Sequence, residues 1–320
     1  MLREICYNLN IKGINLLLSS LAQKQMGTFI SFATLDNKLM PIKKKKPKLK
    51  IGLALSGGGA LGIAHIGALK AFQESKIKIS YISGTSAGAV VAACWAFGIS
   101  TDEMLEISKK LNWLKISNFG YSKLGLNSNK PVGKIIKDYI GEKNIEDAKI
   151  PLAIIATDID SGKKVVFREG NLAEAVMASA CIPVFFAPVE IGRRKLVDGM
   201  LVENLPFSPL RSMGAQLEIG VDLTAKMAHE KTEHVLDVVN NAYGLFARQQ
   251  RVALKGSEKI IIEPHLEKFT LFDFKNPEQL IDAGFTATKL VTPEIKRRLK
   301  QEQNEVRSLL DKIGNFFDPN

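Results

Sequence analysis

Residues 51–55 and 77–82 are short apolar runs that each end in a glycine-bearing turn and pass directly into a helical stretch. The first unit reads Ile51-Gly52-Leu53-Ala54-Leu55, then Ser56-Gly57-Gly58-Gly59-Ala60-Leu61-Gly62, then a helix over about 63–74. The second ends in Gly84-Thr85-Ser86-Ala87-Gly88 and continues as a helix over 87–97. Strand–turn–helix units in succession predict neighbouring parallel strands joined by a right-handed crossover. Both turns then lie at the carboxyl edge of the sheet, where open α/β sheets hold their ligands, and they face each other. The expected class is α/β: three layers, with a mostly parallel central sheet and helices on both faces.

Gly84-Thr85-Ser86-Ala87-Gly88 is a Gly-x-Ser-x-Gly pattern set between a strand and a helix, which makes it a nucleophile elbow. A serine on so tight a turn is thrown clear of the sheet, and glycines two before and two after relieve crowding where the helix folds back. Ser86 is therefore the expected nucleophile, with Gly84 and Gly88 as the elbow glycines.

The 57–62 segment also fits Gly-x-Gly-x-x-Gly, so a dinucleotide site must be weighed. Such a site needs an acid at the end of the second strand to hold the ribose hydroxyls. No Asp or Glu occurs between Glu74 and Asp102, and the second strand ends in the serine elbow instead. No Gly-Lys-Ser/Thr follows, which removes a Walker-type phosphate loop. The remaining use of the loop is an oxyanion hole, in which backbone N–H groups at a helix N-terminus face developing negative charge. Gly58 and Gly59 are the expected donors.

A serine needs a base. The four histidines, His65, His229, His234 and His265, carry no mark of orientation by a carboxylate, although His265 is late enough to complete a Ser, Asp, His order. Asp198 ends a short strand, is followed by Gly199, and precedes the irregular stretch Asn204-Leu205-Pro206. Such a loop can point a carboxylate into a site.

Composition narrows the setting. The chain has 320 residues, 46% of them hydrophobic, enough for a large core. The three cysteines, Cys6, Cys94 and Cys181, are odd in number and match no metal spacing, so a disulfide framework or zinc site is not expected and a reducing compartment is. Cys94 reads as a buried structural thiol. The net charge of +11 points to an anionic surface. The densest cluster, Lys43, Lys44, Lys45, Lys46, Lys48 and Lys50, reads as an exposed linker or a membrane-surface contact. No aromatics interleave it, which argues against single-strand nucleic acid. No run approaches the roughly 18–20 apolar residues of a membrane-spanning helix. Residues 14–22 have a short apolar centre ending in Ser20-Leu21-Ala22, a faint signal-peptidase pattern that leaves export open.

Further along, Ser100 with Glu103 forms a capping box for a helix to about 111, and residues 121–129 read as a polar flap before a helix starting near Val132. Strands are expected at 152–157 and 164–167, joined by Asp160-Ser161-Gly162, and a helix capped by Asn171 and Glu174 must end before Pro183. Short strands follow at 189–191, 195–197 and 217–221, then helices over 232–255 and 293–317, the last with Thr292 as cap and Pro293 at its first position. In that last helix Ile295, Leu299, Val306, Leu309 and Ile313 form an apolar face whose expected use is packing on the protein's own core.

Ser56-Gly57-Gly58-Gly59-Ala60-Leu61-Gly62, Gly84-Thr85-Ser86-Ala87-Gly88, Ala178-Ser179-Ala180-Cys181-Ile182-Pro183 and Asp198-Gly199 occur in an order and spacing that resembles the patatin-like phospholipases, over about 50–223, and is most similar to the compact bacterial members. The resemblance implies a serine–aspartate dyad without histidine, in which Ser86 is nucleophile and Asp198 takes its proton. It places the oxyanion hole on Gly57, Gly58, Gly59 and Gly62. It implies hydrolysis of lipid carboxylic esters, phospholipid or another acyl lipid, through an acyl-enzyme, with no calcium or other cofactor. The chain departs from the family at Leu61, where Arg or Lys is usual, and at Met200, where Gly or Ala is usual. Other readings kept open are a non-catalytic regulatory or lipid-binding scaffold and a nucleotide-binding protein. The expected organisation is an N-terminal amphipathic segment and basic linker over 1–49, a catalytic core over 50–223, and a mainly helical extension over 224–320 on or beside the core. The expected setting is cytoplasmic or peripheral at an anionic membrane surface.

Overall fold

A computed structural model of the chain describes residues 49–110, 118–122, 125–225, 231–254, 259–272 and 274–317. The N-terminal segment, the lysines at 43–46 and 48, and His229 lie outside these residues. Strands β1 (Ile51–Leu55) and β9 (Leu217–Val221) are buried at every position. Near-continuous apolar runs are what strands covered on both faces require. β1 lies between β2 (Ile79–Thr85) and β9, parallel to both, with Leu55 opposite Gly84. The glycine loop after β1 and the elbow after β2 therefore start side by side.

The eight-stranded sheet runs β10 (Ile260–Ile262), β9, β1, β2, β5 (Leu152–Asp158), β8 (Arg194–Asp198), β7 (Val189–Ile191), with β6 (Lys163–Phe167) also paired to β5. β10, β9, β1, β2 and β5 are parallel neighbours, while β6 and β8 are antiparallel to β5 and β7 to β8. Helices cover both faces. Leu53 and Leu55 point into the main core with Leu61, Leu69 and Phe72, whereas Ala54 faces Phe207 and Leu210 of α6 (Phe207–Met213). This is the period-two alternation of a strand.

A 3-10 turn (Gly59–Ile63) leads into α1 (Ala64–Glu74), and α2 (Ala87–Phe97) follows the elbow. α3 (Thr101–Lys110) has the expected capping box: Ser100 N–H donates to Glu103 Oε2 (2.8 Å) and Glu103 N–H to Ser100 Oγ (3.2 Å). The segment expected as a flap contains an antiparallel strand pair, β3 (Asn118–Ser122) and β4 (Gly125–Ser128), tied down where Ala187 N–H donates to the Asn127 carbonyl (3.0 Å). α4 (Lys130–Ile140) and α5 (Leu172–Ser179) come next, α5 capped by Asn171 as expected. α7 (Val235–Val252) follows β9.

The last helix corrects its expected start. α8 runs Pro277–Phe317, and Pro293 lies inside it. Thr292 is no cap: its hydroxyl donates to the Thr288 carbonyl (2.9 Å), as Thr288 does to Gly284 (2.8 Å). Pro293 deprives the Lys289 carbonyl of its usual donor, and packing carries the helix through. Ile295 is wholly buried and Leu299 packs on the core, so the described part of the apolar face is spent internally. α8 crosses α1 at a pair of glycines. A Cβ on Gly67 would lie 1.8 Å from the Ile281 carbonyl oxygen, and one on Gly284 1.9 Å from that of Ala64. Among the described residues no helix is long and apolar enough to cross a membrane.

Candidate active site

Ser86 has φ 54° and ψ −124°, a backbone state that glycine tolerates and serine holds only under constraint, at a cost of about 1–3 kcal/mol. Several ties supply the constraint. Ser86 N–H donates to Ser179 Oγ (2.8 Å), Thr85 Oγ1 to the Glu203 carbonyl (2.8 Å) and Ser83 Oγ to that of Pro206 (2.6 Å). The flanking glycines are steric necessities: a Cβ on Gly84 would sit 2.4 Å from the Gly88 oxygen, and one on Gly88 2.3 Å from that of Leu55.

Sheet register brings Asp198 to Ser86. β2 pairs with β5 as far as Thr85 opposite Ile155, and β8 takes over the same edge of β5 with Asp198 opposite Ala156. β2 and β8 thus meet end to end, and the residues leaving their tips converge. Ser86 Oγ donates to Asp198 Oδ2 at 2.7 Å, while Met200 N–H donates to Oδ1 at 2.9 Å. The Asp198 backbone is fixed by the Thr157 hydroxyl on its carbonyl (2.8 Å) and by its own N–H on the Cys181 carbonyl (2.8 Å). Asp198 is fully buried, and burial pushes its carboxyl up to about 7, against the lowering pull of the Ser86 hydroxyl and the Met200 N–H. A carboxylate balanced near neutral pH suits a general base. Met200 keeps the turn intact by supplying one of these N–H groups, and Gly199 is required because a Cβ there would lie 2.3 Å from the Ile155 oxygen.

The four loop glycines divide by what their backbones do. Gly57 N–H is already donated to Asn204 Oδ1 (3.0 Å), so the expectation that Gly57 lends a donor to an oxyanion fails on geometry. Gly62 is a packing glycine, since its Cβ would stand 2.5 Å from that of Ala87. Gly58 and Gly59 carry N–H groups with no protein acceptor among the described residues. Gly59, at φ 53°, cannot carry a side chain, because a Cβ would meet the Leu271 oxygen at 2.3 Å. Leu61 is fully buried in the core and has no part in a polar contact with substrate.

The described histidines stand apart from this pair. His265 is exposed, with Nδ1 3.1 Å from Glu267, and His234 is exposed at the start of α7. His65 is buried beneath the loop, its Nε2 2.8 Å from the Ser56 carbonyl, and burial lowers its pKa to about 4. Cys94 and Cys181 are free, buried and pushed up to about 12 by burial, so neither supplies a thiolate at neutral pH.

A cavity of about 140 Å³ opens on Ser86 and Gly59 and is otherwise almost wholly apolar, with Ile63, Val90, Met104, Ile107 and Phe186 in its walls. The sequence marked none of these as cavity residues, because their helical spacing is that of ordinary core positions. It also gave no sign that Asn204 would accept a hydrogen bond from Gly57, 147 residues away.

Residues 53–211 match the family model described as patatin-like phospholipase. An uncharacterized NTE family protein of Mycobacterium tuberculosis is 36% identical over 182 residues, 56% of this chain and 50% of that protein. Neuropathy target esterase sws of Drosophila melanogaster is 34% identical over 181 residues, 54% of this chain and 13% of that one. The chain spans about half the length of the first of these curated relatives. Among solved structures, VipD from Legionella pneumophila superposes with a TM-score of 0.50 at 15% identity, covering 83% of this chain and 73% of that one. That likeness concerns the fold alone.

Proposed function

Through residues 53–211 this chain belongs to the patatin-like phospholipase family, and from that premise we infer that it is a lipid acyl hydrolase working through Ser86 and Asp198. The observation that carries the reading is the direct 2.7 Å hydrogen bond from Ser86 Oγ to Asp198 Oδ2. Ser86 Oγ attacks the ester carbonyl as its proton passes to Asp198, giving a tetrahedral oxyanion faced by the N–H groups of Gly58 and Gly59. Collapse breaks the ester C–O bond, and the leaving alcohol takes the proton from Asp198. A water then gives its proton to Asp198 and attacks the acyl-enzyme; the fatty acid leaves and Ser86 regains the proton. The helix N-termini that begin at Gly59 and Ala87 add their dipoles at the oxyanion.

The apolar cavity beside Ser86 supports an acyl chain as the group held during attack, since only hydrocarbon fits such walls without stranding a polar group. Phospholipid is the substrate class, and a peripheral position at an anionic membrane agrees with the +11 charge. The test is release of fatty acid from phospholipid vesicles and from a short-chain ester. Wild type should hydrolyse both and Ser86→Ala neither. Hydrolysis by Ser86→Ala at the wild-type rate overturns the reading.

A further inference from the structure

Asn204 lies six residues after Asp198, in the turn that carries the carboxylate, and is 3% exposed. Its side chain reaches out of that turn to the glycine loop, where Oδ1 accepts the Gly57 N–H at 3.0 Å. On its other side Nδ2 donates to Thr224 Oγ1 at 3.0 Å. The orientation of the amide is dictated by its neighbours. A backbone N–H can only donate, so it must face the oxygen. The Thr224 hydroxyl gives its proton to Asp222 Oδ1 (2.7 Å), so it must accept from the nitrogen. Asp222 also accepts the Thr224 N–H (2.9 Å), and its Oδ2 lies 3.3 Å from Arg251 Nε. The Asn204 backbone is clamped as well. Its N–H donates to Gln250 Oε1 (2.7 Å), and Gln250 Nε2 donates to the Met200 carbonyl (2.7 Å), so one side chain of α7 grips the turn at both ends.

We propose that Asn204 is a positioning residue that locks the glycine loop to the carboxylate turn, keeping the Gly58 and Gly59 N–H groups aimed at the oxyanion formed on Ser86 attack. The inference rests on the acyl-hydrolase reading. Oxyanion donors act only when they are held before charge develops, and a displacement of about 1 Å can cost as much as ~10²-fold in rate. Gly57 adjoins Gly58, so releasing its N–H frees the peptide next to the donors. The Ser86–Asp198 hydrogen bond is made by other groups and stays in place.

The experiment compares wild type, Asn204→Ala and Thr224→Val by steady-state kinetics on a soluble short-chain ester and by the rate at which a fluorophosphonate labels Ser86. Asn204→Ala should lower kcat about 10- to 100-fold with KM little changed, and the labelling rate should fall in proportion. The acid limb of its pH profile should stay near 7, where burial sets Asp198. Thr224→Val, one bond further out, should lose a few-fold in kcat and covers the case in which Asn204→Ala does not fold. A folded Asn204→Ala enzyme with wild-type kcat and labelling rate overturns the proposal, as does a displaced acid limb, which would place the defect at Asp198. So does wild-type kcat in Thr224→Val when Asn204→Ala does not fold. Failure of wild type to label at Ser86 would instead sink the hydrolase reading itself.

Discussion

Asp198 is the residue on which the proposed chemistry turns, and its burial sets two opposed pH dependences. Its carboxyl is raised to about 7 in the folded protein, above the ordinary carboxylate value, chiefly by burial. Folding therefore favours the protonated form: the stability this group contributes is full below the ordinary value and is lost as pH rises through about 7. Activity by the proposed mechanism runs the other way, because only the carboxylate can take the Ser86 proton. kcat/KM on a soluble ester should rise with pH along a limb centred near 7, and a limb centred near 4 would contradict the buried setting of Asp198. Ser86 was legible in the sequence because an elbow is local, made of a strand, a turn and a helix in contiguous residues. Asp198 as its partner came through the resemblance alone, since the end-to-end meeting of β2 and β8 depends on a register shared with β5. The Gly57 N–H could not be assigned from sequence at all, because its acceptor is remote in the chain.

Among the elements, the strand–turn–helix units were readable for the same reason, since burial on both faces writes continuous apolar runs and the turns need glycine. The start of α8 was not. Pro293 and Thr292 look like a helix beginning, and only the contact with α1 shows that the helix is already under way at Pro277. That contact has a steric requirement no single-sequence pattern exposes: Gly67 and Gly284 lie on different helices, each against the other's backbone. Gly284→Ala should force the helices apart and lower Tm, an overpacking effect of about 1–3 kcal/mol. Because α1 carries the glycine loop at its N-terminus, activity measured below the new Tm should fall as well. An alanine variant with unchanged Tm would show that the crossing is looser than the backbone distances indicate.

At the scale of the molecule, the cavity beside Ser86 draws its walls from α1, α2, α3 and α4 and from Ala180, Ile182, Phe186, Leu271 and Phe274. A hydrocarbon chain held there is the feature that would separate lipid esters from small ones. Ile107→Trp, which fills the α3 wall, should lower kcat/KM for long-chain esters while leaving short-chain esters near wild type. An unchanged chain-length profile would place the acyl group elsewhere. The proposed dyad asks something narrower still, that Asp198 alone activates Ser86 with no histidine between them. It is tested most directly by mass-spectrometric measurement of fluorophosphonate labelling at pH 8 in wild type, Asp198→Asn and His265→Ala. A dyad should give a single adduct on Ser86 in wild type and His265→Ala, and labelling slowed by at least about 10²-fold in Asp198→Asn, as for loss of a general base. Labelling of Asp198→Asn at the wild-type rate, with loss in His265→Ala, would contradict it.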